Sequence, residues 1–507
     1  MKRIFTLCLV LCLMLIICMP CSAEELAVPG RYSRINIQGS ETYAVIDSNG
    51  GLWMWGQNQC GQVGDGSMDP INPSCSEEEM NVLTPVKVLD NVLSVCSTGV
   101  NTVALKKDGT LWGWGANWSN VLGAGTQVEY VLKPQRIPLV EDVISFSAGA
   151  QNIAVVKRDG SLWMWGHNAC GQLLVDPYAV NETYTPVKLM ENVSAVNIGG
   201  QTVAVLKKDN SLWMWGDNYE GQVGAGLFQQ KIWTPQHILD DVRGIAVSPE
   251  NTAAVKLDGT VWFWGANWHG QAGTMPSSIE DPSSELFAPV QVPNVTNAVE
   301  LGLGHYHLGV IQEDGILLMW GWDQVGQVSG HAYLDRVYSD GCDPERNESE
   351  IENYITPIVP SGLEDIEFSA LSCGISSTLA LAEDGTIYAF GDGLYGLYGN
   401  GESSYDLCVN PVVVTADRMN MIPPTHDTHS GYSSVTYQIT MPAETIHLFL
   451  ASYDSTGVLK SIRIEKINRH TGGSFLFKGD SDLNYRGFLL NENLQPVGRV
   501  FVRTPTR

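Results

Sequence analysis

Basic side chains are scarce in this sequence of 507 residues. It contains 29 lysines and arginines against 55 aspartates and glutamates, a formal net charge of −26. A chain this acidic repels phosphate backbones and anionic lipid surfaces. Nucleic acid is therefore not expected as a partner. The excess of carboxylates also has a plainer explanation, which is that it keeps the protein soluble.

Motifs of catalysis and of cofactor binding are missing as well. The sequence contains no Gly-x-Ser-x-Gly or papain-type nucleophile motif and no phosphate-binding loop. The seven cysteines after residue 23 are an odd number, and none of their spacings is typical of a metal site. His305 and His307 lie two residues apart, on one face of a predicted strand, and two histidines alone do not make a zinc site. We therefore predict no catalytic residues, no cofactor and no metal, and a protein that is not an enzyme.

Long hydrophobic runs are missing beyond the N-terminus. Lys2 and Arg3 precede an apolar run from Ile4 to Met19, and the small residues Ser22 and Ala23 follow it. This pattern predicts a secretory signal peptide, residues 1–23. A membrane anchor is the alternative, although the run is short for a span of about 20 residues. Removal of the leader would leave 27 basic and 55 acidic residues, a net charge of −28, with no later membrane span. The expected location is extracellular, either secreted or at the cell surface.

What the sequence does contain is a five-residue pattern that occurs seven times. It first reads Leu52-Trp53-Met54-Trp55-Gly56. The other six copies keep the apolar character and the closing glycine: Leu111 to Gly115, Leu162 to Gly166, Leu212 to Gly216, Val261 to Gly265, Leu317 to Gly321 and Ile387 to Gly391. The closing glycines are 49 to 70 residues apart. A repeat of this length with a strand-like signature indicates a repeat architecture.

Each copy predicts a strand that is buried on both faces. Trp53 and Trp55 share one face of a strand, and Met54 between them is apolar too. Asp-Gly turns such as Asp108-Gly109 precede most copies and predict a tight hairpin. One unit of about 50 residues cannot cover both faces of its own sheet, whereas units stacked radially in a closed ring can. We therefore predict an all-β fold, a seven-bladed β-propeller over residues 24–422, with both tryptophans of each pair in the core.

Two further segments complete the repeat. Gly61-Gln62-Val63-Gly64 follows the first double-tryptophan strand and recurs in later copies, and Pro-Val segments such as Pro85-Val86 are interpreted as the start of the next unit. Together with the Asp-Gly turn, this pattern resembles the repeat of the regulator of chromosome condensation (RCC1) family over roughly residues 31 to 420. The resemblance implies a seven-bladed propeller. The seventh copy departs most from the pattern, with Tyr388 and Phe390 in place of the tryptophans.

Residues 423–507 differ from the repeats. Pro423-Pro424-Thr425 predicts a stiff, extended linker. The residues after it alternate with period two, as at Ile446, Leu448 and Leu450, and are interrupted by turn residues. This pattern predicts a small C-terminal β-sandwich of five to six strands. The segment resembles the accessory modules that end many exported bacterial surface proteins.

Four aromatic residues next to the repeated strands form a candidate protein-binding rim. Trp118 and Trp268 each lie three residues after a closing glycine, Tyr219 holds the same place in the fourth copy, and Trp322 directly follows Gly321. Equivalent positions of successive blades fall on one rim of the ring. Trp and Tyr are the usual anchors of protein interfaces, so this rim predicts a binding surface. Packing of the rings between blades is the alternative.

Three functions follow from these observations. The first is a secreted or cell-surface, monomeric, non-enzymatic scaffold that binds another protein of unknown identity, with inhibition of that protein as one form. The second, implied by the family resemblance, is a guanine-nucleotide exchange factor for a small GTPase. The predicted leader argues against it because such GTPases are cytosolic. The third is a glycan-cleaving enzyme on a propeller scaffold, which requires carboxylates converging at the mouth of the ring.

Overall fold

The structure is a computed structural model that describes residues 35–36, 41–68, 81–276, 284–330 and 353–399, with a few positions omitted. Between residues 412 and 503 it describes the strands alone. The predicted leader, residues 1–23, lies outside the described residues. In the part that is described, no helix is both long and apolar enough to cross a membrane.

The first 28 strands form seven four-stranded antiparallel sheets, each built from four consecutive strands. Blades 1 to 3 are β1–β4 (Ile35–Asn36, Thr42–Ile46, Leu52–Gly56, Val82–Leu89), β5–β8 (Val92–Ser97, Asn101–Lys106, Leu111–Ala116, Tyr130–Arg136) and β9–β12 (Val143–Gly149, Asn152–Lys157, Leu162–His167, Glu182–Met190). Blades 4 and 5 are β13–β16 (Val193–Gly199, Thr202–Lys207, Leu212–Asp217, Lys231–Leu239) and β17–β20 (Val242–Val247, Asn251–Lys256, Val261–Ala266, Glu285–Gln291). Blades 6 and 7 are β21–β24 (Ala298–Leu303, His307–Gln312, Leu317–Trp322, Asn353–Ile358) and β25–β28 (Phe368–Cys373, Ser377–Ala382, Ile387–Gly391, Val412–Val414).

The seven sheets close into a ring. The first strand of each blade lies against the first strand of the next, and β1 of blade 1 lies against β25 of blade 7. The hydrophobic core consists of clusters that each draw residues from neighbouring blades. The predicted seven-bladed β-propeller is therefore confirmed.

The second tryptophan of each repeated pair joins one blade to the preceding one. Trp114, for example, is fully buried, and its indole Nε1 donates to the carbonyl of Gln62 in blade 1 at 2.9 Å. Five other indoles make the equivalent bond: Trp55 to Leu397, Trp165 to Val121, Trp215 to Gln172, Trp264 to Gln222 and Trp320 to Gln271. In blade 7 the position is Phe390, which has no N–H to donate.

The first tryptophan of each pair is only half-buried, so the prediction that both belong to the core is wrong for it. Trp112 illustrates the reason. Its indole Nε1 donates to Thr110 Oγ1 at 3.0 Å, and Lys106 Nζ lies 4.5 Å from the ring centroid. The ring therefore lies near the end of the sheet that carries the hairpin turn, where a lysine and a turn hydroxyl cover it.

The glycine that closes each copy is required by the backbone. Gly56 has φ +102°, a conformation that favours glycine. A Cβ on Gly166 (φ +105°) would lie 2.0 Å from the carbonyl oxygen of Gln151, which is the oxygen that accepts the amide of His167. Any side chain at these positions would push apart the second and third strands of the blade.

The Pro-Val segments do not begin the next unit, as the sequence suggested. Pro85 and Val86 lie in β4, which pairs with β3 of the same blade, in the register Met54 with Val86 and Trp53 with Lys87. The segment is therefore the outer strand of its own sheet. An outer strand tolerates proline because one of its edges needs no backbone donor.

A buried carboxylate joins the two ends of the ring. Glu41 of blade 1 accepts a hydrogen bond from Tyr43 Oη of the same blade (2.6 Å). From blade 7 it accepts hydrogen bonds from Ser377 Oγ (2.6 Å) and from the amide of Ser376 (3.2 Å). Burial raises the pKa of this carboxyl, although the three donors oppose the shift. Together with the bond from Trp55 to Leu397, this network connects blades whose residues are more than 330 positions apart.

After the propeller, seven strands form two antiparallel sheets. They are β29 (Met419–Asp427), β30 (Tyr432–Ile439), β31 (Ile446–Tyr453), β32 (Leu459–Ile467), β33 (Gly472–Lys478), β34 (Asn484–Leu490) and β35 (Pro496–Arg503). Strands β29, β30 and β33 form one sheet, and β32, β31, β34 and β35 the other. The sandwich packing of these sheets stays a prediction, as do the domain boundaries.

The proline segment predicted to be a linker lies inside a strand. Strand β29 pairs with β30 on both sides of the prolines, and its register shifts between Ile422 and Thr425. Prolines cannot donate to a ladder, and a register shift is where a strand tolerates them.

Candidate functional site

One end of every sheet carries the longer connections. The turn between the first and second strands and the loop between the third and fourth strands both open there, as the pairing of Asn251 with Gly265 shows in blade 5. We call this end the loop face. The Asp-Gly hairpin turns, such as Asp258-Gly259, lie at the opposite end. Trp118, Tyr219 and Trp268 follow a third strand, and Trp322 is the last residue of one, so all four residues of the predicted rim lie on the loop face.

The rim residues differ in exposure. Tyr219 is 61% exposed and Trp118 is 39% exposed, whereas Trp268 and Trp322 are half-buried. Trp118 begins a short 3-10 helix, Trp118–Asn120, in blade 2. The indole N–H of Trp268 is buried and has no hydrogen-bond partner among the described residues. The predicted rim is thus on one face, but it mixes exposed rings with packed ones.

Trp322 belongs to an aromatic group at the junction of blades 5 and 6. Its ring centroid lies 5.9 Å from that of His269 and 5.6 Å from that of Tyr306. The rings of His269 and Tyr306 are 5.2 Å apart in an edge-on arrangement. His269 Nδ1 is 3.3 Å from Asn353 Oδ1 at the start of the fourth strand of blade 6. His269, a loop residue of blade 5, thus packs against the first turn and the fourth strand of blade 6.

Glu220 occupies the position of His269 in the preceding blade. Glu250, in the first turn of blade 5, and Glu285, at the start of β20, hold the positions of Tyr306 and Asn353 in the next blade, and their charges act on Glu220. Asp217 lies beside the same loop and accepts a bond from Gln222 Nε2 at 3.3 Å. We call Asp217, Glu220, Glu250 and Glu285 the carboxylate cluster.

The cluster changes the protonation of its members. Burial, and then the charges of Glu285 and Glu250, raise the pKa of Glu220 to about 7. Burial also raises the pKa values of Glu250 and Asp217. Like charges placed close together in partly buried surroundings disfavour ionisation. The cluster therefore takes up or releases a proton near neutral pH, which is unusual for carboxylates.

His305 lies next to the cluster, and His307 does not share its surroundings. His305 Nδ1 is 3.4 Å from Glu250 Oε2, but the two are not aligned for a hydrogen bond, and burial lowers the pKa of this imidazole. His307 is fully buried at the start of β22 and bonds Thr378 Oγ1 at 2.9 Å. The two histidines were predicted to share one face of a strand. The structure places His305 in the turn before that strand instead.

Two aromatic pairs project from the loop face of blades 3 to 5. Tyr178 is 85% exposed and packs edge-on against Trp233, with centroids 5.7 Å apart. Phe228 is 83% exposed and lies 4.5 Å from the ring of Phe287. Exposed aromatic rings that contact one another form apolar surface patches, which are a common feature of interaction sites.

Neither the carboxylate cluster nor the two aromatic pairs were predicted from the sequence. The aromatic residues Tyr178 and Phe228 carried a usable signal, because each lies in a loop between predicted strands, where an apolar ring has no core to fill. The four carboxylates gave no such signal in the sequence, because only the neighbours that they acquire in the folded ring distinguish them from other acidic residues.

The raised pKa of Glu220 predicts a pH-dependent cost in stability. The folded protein binds a proton that the unfolded chain has released between about pH 4.5 and 7, so the free energy of unfolding decreases as pH rises through that window. The Glu220→Gln variant is therefore expected to melt at a higher temperature than the wild type at pH 8 and at a similar temperature at pH 4.5. Thermal melting over this pH range measures the difference.

Glu129→Gln is the matched control, since it removes one negative charge from an exposed position of the loop face in blade 2. A Glu220→Gln variant whose advantage at pH 8 is no larger than that of the control would contradict the expected proton uptake.

The fold and the repeat define the class of the protein, a seven-bladed propeller of RCC1-type repeats. The sequence signature of the RCC1-like domain matches residues 74–431, well over half of the chain. The chain therefore belongs to the RCC1-like domain family. Within the described residues, no group of three or more His, Cys, Asp or Glu side chains has a geometry suited to a metal ion.

Parts of the chain are similar in sequence to other proteins. It is 34% identical over 149 residues to the RCC1 domain-containing protein RUG3, mitochondrial, of Arabidopsis thaliana, a match covering 28% of this chain and 32% of that protein. It is 32% identical over 140 residues to the human X-linked retinitis pigmentosa GTPase regulator, covering 27% of this chain and 13% of the relative. The matched stretches thus span less than two thirds of the length of these relatives.

Among solved structures, Prp20p from Saccharomyces cerevisiae has the same fold. It superposes with a TM-score of 0.60 at 20% identity and covers 79% of this chain and 92% of its own. The crystal structure of Prp20p was described together with its binding to Gsp1p and histones.

Proposed function

We propose that this protein is an exported, non-enzymatic binding protein whose loop face docks a partner protein. The observation that carries the proposal is the exposure of one ring from each aromatic pair. The side chains of Tyr178 and Phe228 are both more than four-fifths exposed on this face. Such rings supply the buried area of an interface once a partner covers them. The predicted leader supports an extracellular location. The predicted rim, Tyr219 above all, lies on the same face.

A binding experiment tests this proposal. Residues 24–507 are immobilised and used to capture partners from extracellular material, and the captured protein is then titrated against variants. Phe228→Ala and Tyr178→Ala are each expected to weaken binding about 30-fold, the effect of removing an interface hot spot worth about 2 kcal/mol.

Leu257→Ala is the control, because Leu257 is 48% exposed next to the Asp-Gly turn at the opposite end of blade 5. It is expected to leave binding unchanged. If the control weakens binding and the two aromatic variants do not, the partner uses the other face and the proposal is wrong.

Guanine-nucleotide exchange is a second candidate, favoured by the similarity to a GTPase regulator and to Prp20p, whose binding to Gsp1p is noted above. It predicts that the protein accelerates release of a fluorescent GDP analogue from a small GTPase. Exchange at the rate of the GTPase alone, across a panel of such proteins, excludes it.

Glycan cleavage is a third candidate, because carboxylates do meet on the loop face. Glu220, with a pKa raised to about 7, has the protonation expected of a general acid. This function predicts release of reducing ends from a polysaccharide and loss of that release in Glu220→Gln. A protein that releases none from a broad panel of glycans is not a glycosidase.

A further inference from the structure

The two aromatic pairs of the loop face are parts of a contact that recurs from blade to blade. Trp233, Phe287 and Ile355 each follow the residue of a fourth strand that pairs with a closing glycine, in blades 4, 5 and 6. Each of the three lies on a glycine in the loop of the preceding blade. A Cβ on Gly171 would lie 2.8 Å from Trp233 Cδ1, and a Cβ on Gly270 would meet Ile355 Cγ2. The loop glycine thus leaves room for an apolar residue of the next blade.

A second apolar side chain, from the preceding loop, joins each of these residues. Tyr178 packs against Trp233, and Phe228 packs against Phe287. Met275 and Ile355 meet over Gly270, since a Cβ on that glycine would be within 3.5 Å of both side chains. The pairs follow one another at three successive blade junctions, and all of their side chains except that of Phe287 are exposed. We call these six residues the apolar arc: Tyr178, Trp233, Phe228, Phe287, Met275 and Ile355.

Two carboxylates lie beside the arc in blade 3. Asp176 Oδ1 accepts the backbone amide of Tyr178 at 2.9 Å. Glu182 Oε1 accepts Tyr184 Oη at 2.5 Å, in the fourth strand of the same blade. The hydroxyls of Tyr184 and Ser119 lower the pKa of Glu182, so this carboxylate is ionised at neutral pH. Negative charge is therefore held next to the exposed rings.

The charge of the surrounding loops has the same sign. Glu285 lies two positions before Phe287 in β20 and therefore on the same face of that strand. The described residues of 166–182, 216–231, 265–276 and 284–285, which cover these loops in blades 3 to 5, include five carboxylates and a single lysine, Lys231. Lys231 Nζ already donates to the carbonyl of Ala169 at 3.0 Å. We call Asp176, Glu182 and Glu285 the acidic border of the arc.

We propose that the apolar arc binds a segment of a partner protein in which apolar side chains are flanked by lysine or arginine. This inference rests on the proposed function, because it names the chemistry of the protein that docks on the loop face. The apolar side chains of the segment cover the exposed rings, and its cations lie against the acidic border. An acidic segment would meet charge of its own sign, and a neutral one would leave the border without a counter-charge.

Short peptides test the inference without knowledge of the partner. The probe has four leucines and four lysines among twelve residues, and the remainder are serines. One counterpart has glutamate in place of every lysine, and the other has serine in place of every leucine. Binding to residues 24–507 is measured by isothermal titration calorimetry at about 0.05 M and about 0.5 M NaCl, a range over which exposed charges become screened.

The charge variant replaces the three carboxylates of the acidic border with amides: Asp176→Asn, Glu182→Gln and Glu285→Gln. Each amide retains an oxygen that accepts hydrogen bonds, so the variant removes charge and keeps the acceptors. The matched control removes three exposed carboxylates from the opposite end of the sheets: Glu141→Gln, Glu191→Gln and Glu313→Gln. Thermal melting verifies that both proteins are folded.

The probe is expected to bind about 10-fold more tightly than either counterpart at the lower salt concentration, and the higher concentration should weaken it. The charge variant should lose about 10-fold in affinity for the probe and depend much less on salt, while the control loses less than about 2-fold. Phe228→Ala should lose about 10-fold at both salt concentrations, because it removes an apolar contact that salt does not screen.

The inference is wrong if the peptide with glutamates binds as tightly as the probe, or if the charge variant binds the probe as the wild type does. Equal binding of the peptide without leucines would also overturn it, because the rings would then play no part. Binding of phosphatidylcholine vesicles that Phe228→Ala abolishes would assign the arc to a membrane instead.

Failure of the proposed function gives a different result. If Leu257→Ala weakens binding of the captured partner and Phe228→Ala does not, the loop face is not the docking face. If Phe228→Ala weakens that binding but the three peptides bind equally, the loop face docks a partner and only the charge assigned to the partner is wrong.

Discussion

Replacing Trp264 with alanine is expected to lower the free energy of unfolding by about 3–5 kcal/mol, the usual loss for a fully buried aromatic ring. Trp264 has no solvent exposure, contributes to the core between blades 4 and 5, and donates its N–H to the carbonyl of Gln222. The Trp264→Phe variant should lose only about 1–2 kcal/mol, since it retains a ring and gives up one hydrogen bond. The carbonyl of Gln222 also keeps its second donor, Thr252 Oγ1, at 2.9 Å. Urea denaturation measures both changes.

Trp262 provides the comparison within the same strand. It is half-buried and bonds Thr260 Oγ1 at 3.1 Å. Its replacement by alanine should cost about 1–2 kcal/mol, because less apolar surface leaves water when the native strand forms. Equal losses for Trp262→Ala and Trp264→Ala would show that the distinction between the two positions of the pair is wrong.

Glu41→Ala is expected to cost about 3 kcal/mol or slightly more, because each buried polar group left without a partner costs about 1–3 kcal/mol. The variant removes the acceptor of Tyr43 Oη, Ser377 Oγ and the Ser376 amide at once. Glu41→Gln retains an acceptor oxygen and should cost less. The measurement is again the midpoint of urea denaturation.

Glu129→Ala is the control, because it removes a carboxylate from an exposed position. This substitution should change the free energy of unfolding by less than about 0.5 kcal/mol. A Glu41→Ala variant as stable as this control would mean that blades 1 and 7 stay joined without the network.

The propeller could be predicted because its signals are local. The alternation at Trp53 and Trp55, the Asp-Gly turn and the closing glycine each act over two to five residues, and the pattern returns in seven copies. The position of the Pro-Val segment was not predictable in this way. Trp53 pairs with Lys87, 34 positions later. The local sequence does not determine whether the strand that contains Lys87 joins this blade or the next one.

The site was predicted in part. Equivalent positions in a ring fall on one face whatever the side chains are, so Trp118, Tyr219 and Trp268 lie on the loop face as expected. Trp322, directly after its closing glycine, ends its strand at the same face. Exposure at each position was not predictable, because it depends on the next blade. Trp322 is covered by Tyr306 and His269, whereas Tyr219 has no such cover and is mostly exposed. Glu250 and Glu285 are 30 and 65 positions from Glu220 and become its neighbours only in the ring.

Among the described strands, no sheet borrows a strand from the other end of the chain. The junction between blades 7 and 1 therefore has no shared strand and is held by the packing of β1 against β25, a mixed core cluster, the Glu41 network and the hydrogen bond of Trp55. Under a pulling force the ring should part at this junction first, with all seven sheets intact. For the same reason, a circularly permuted chain could begin at any other junction without dividing a sheet.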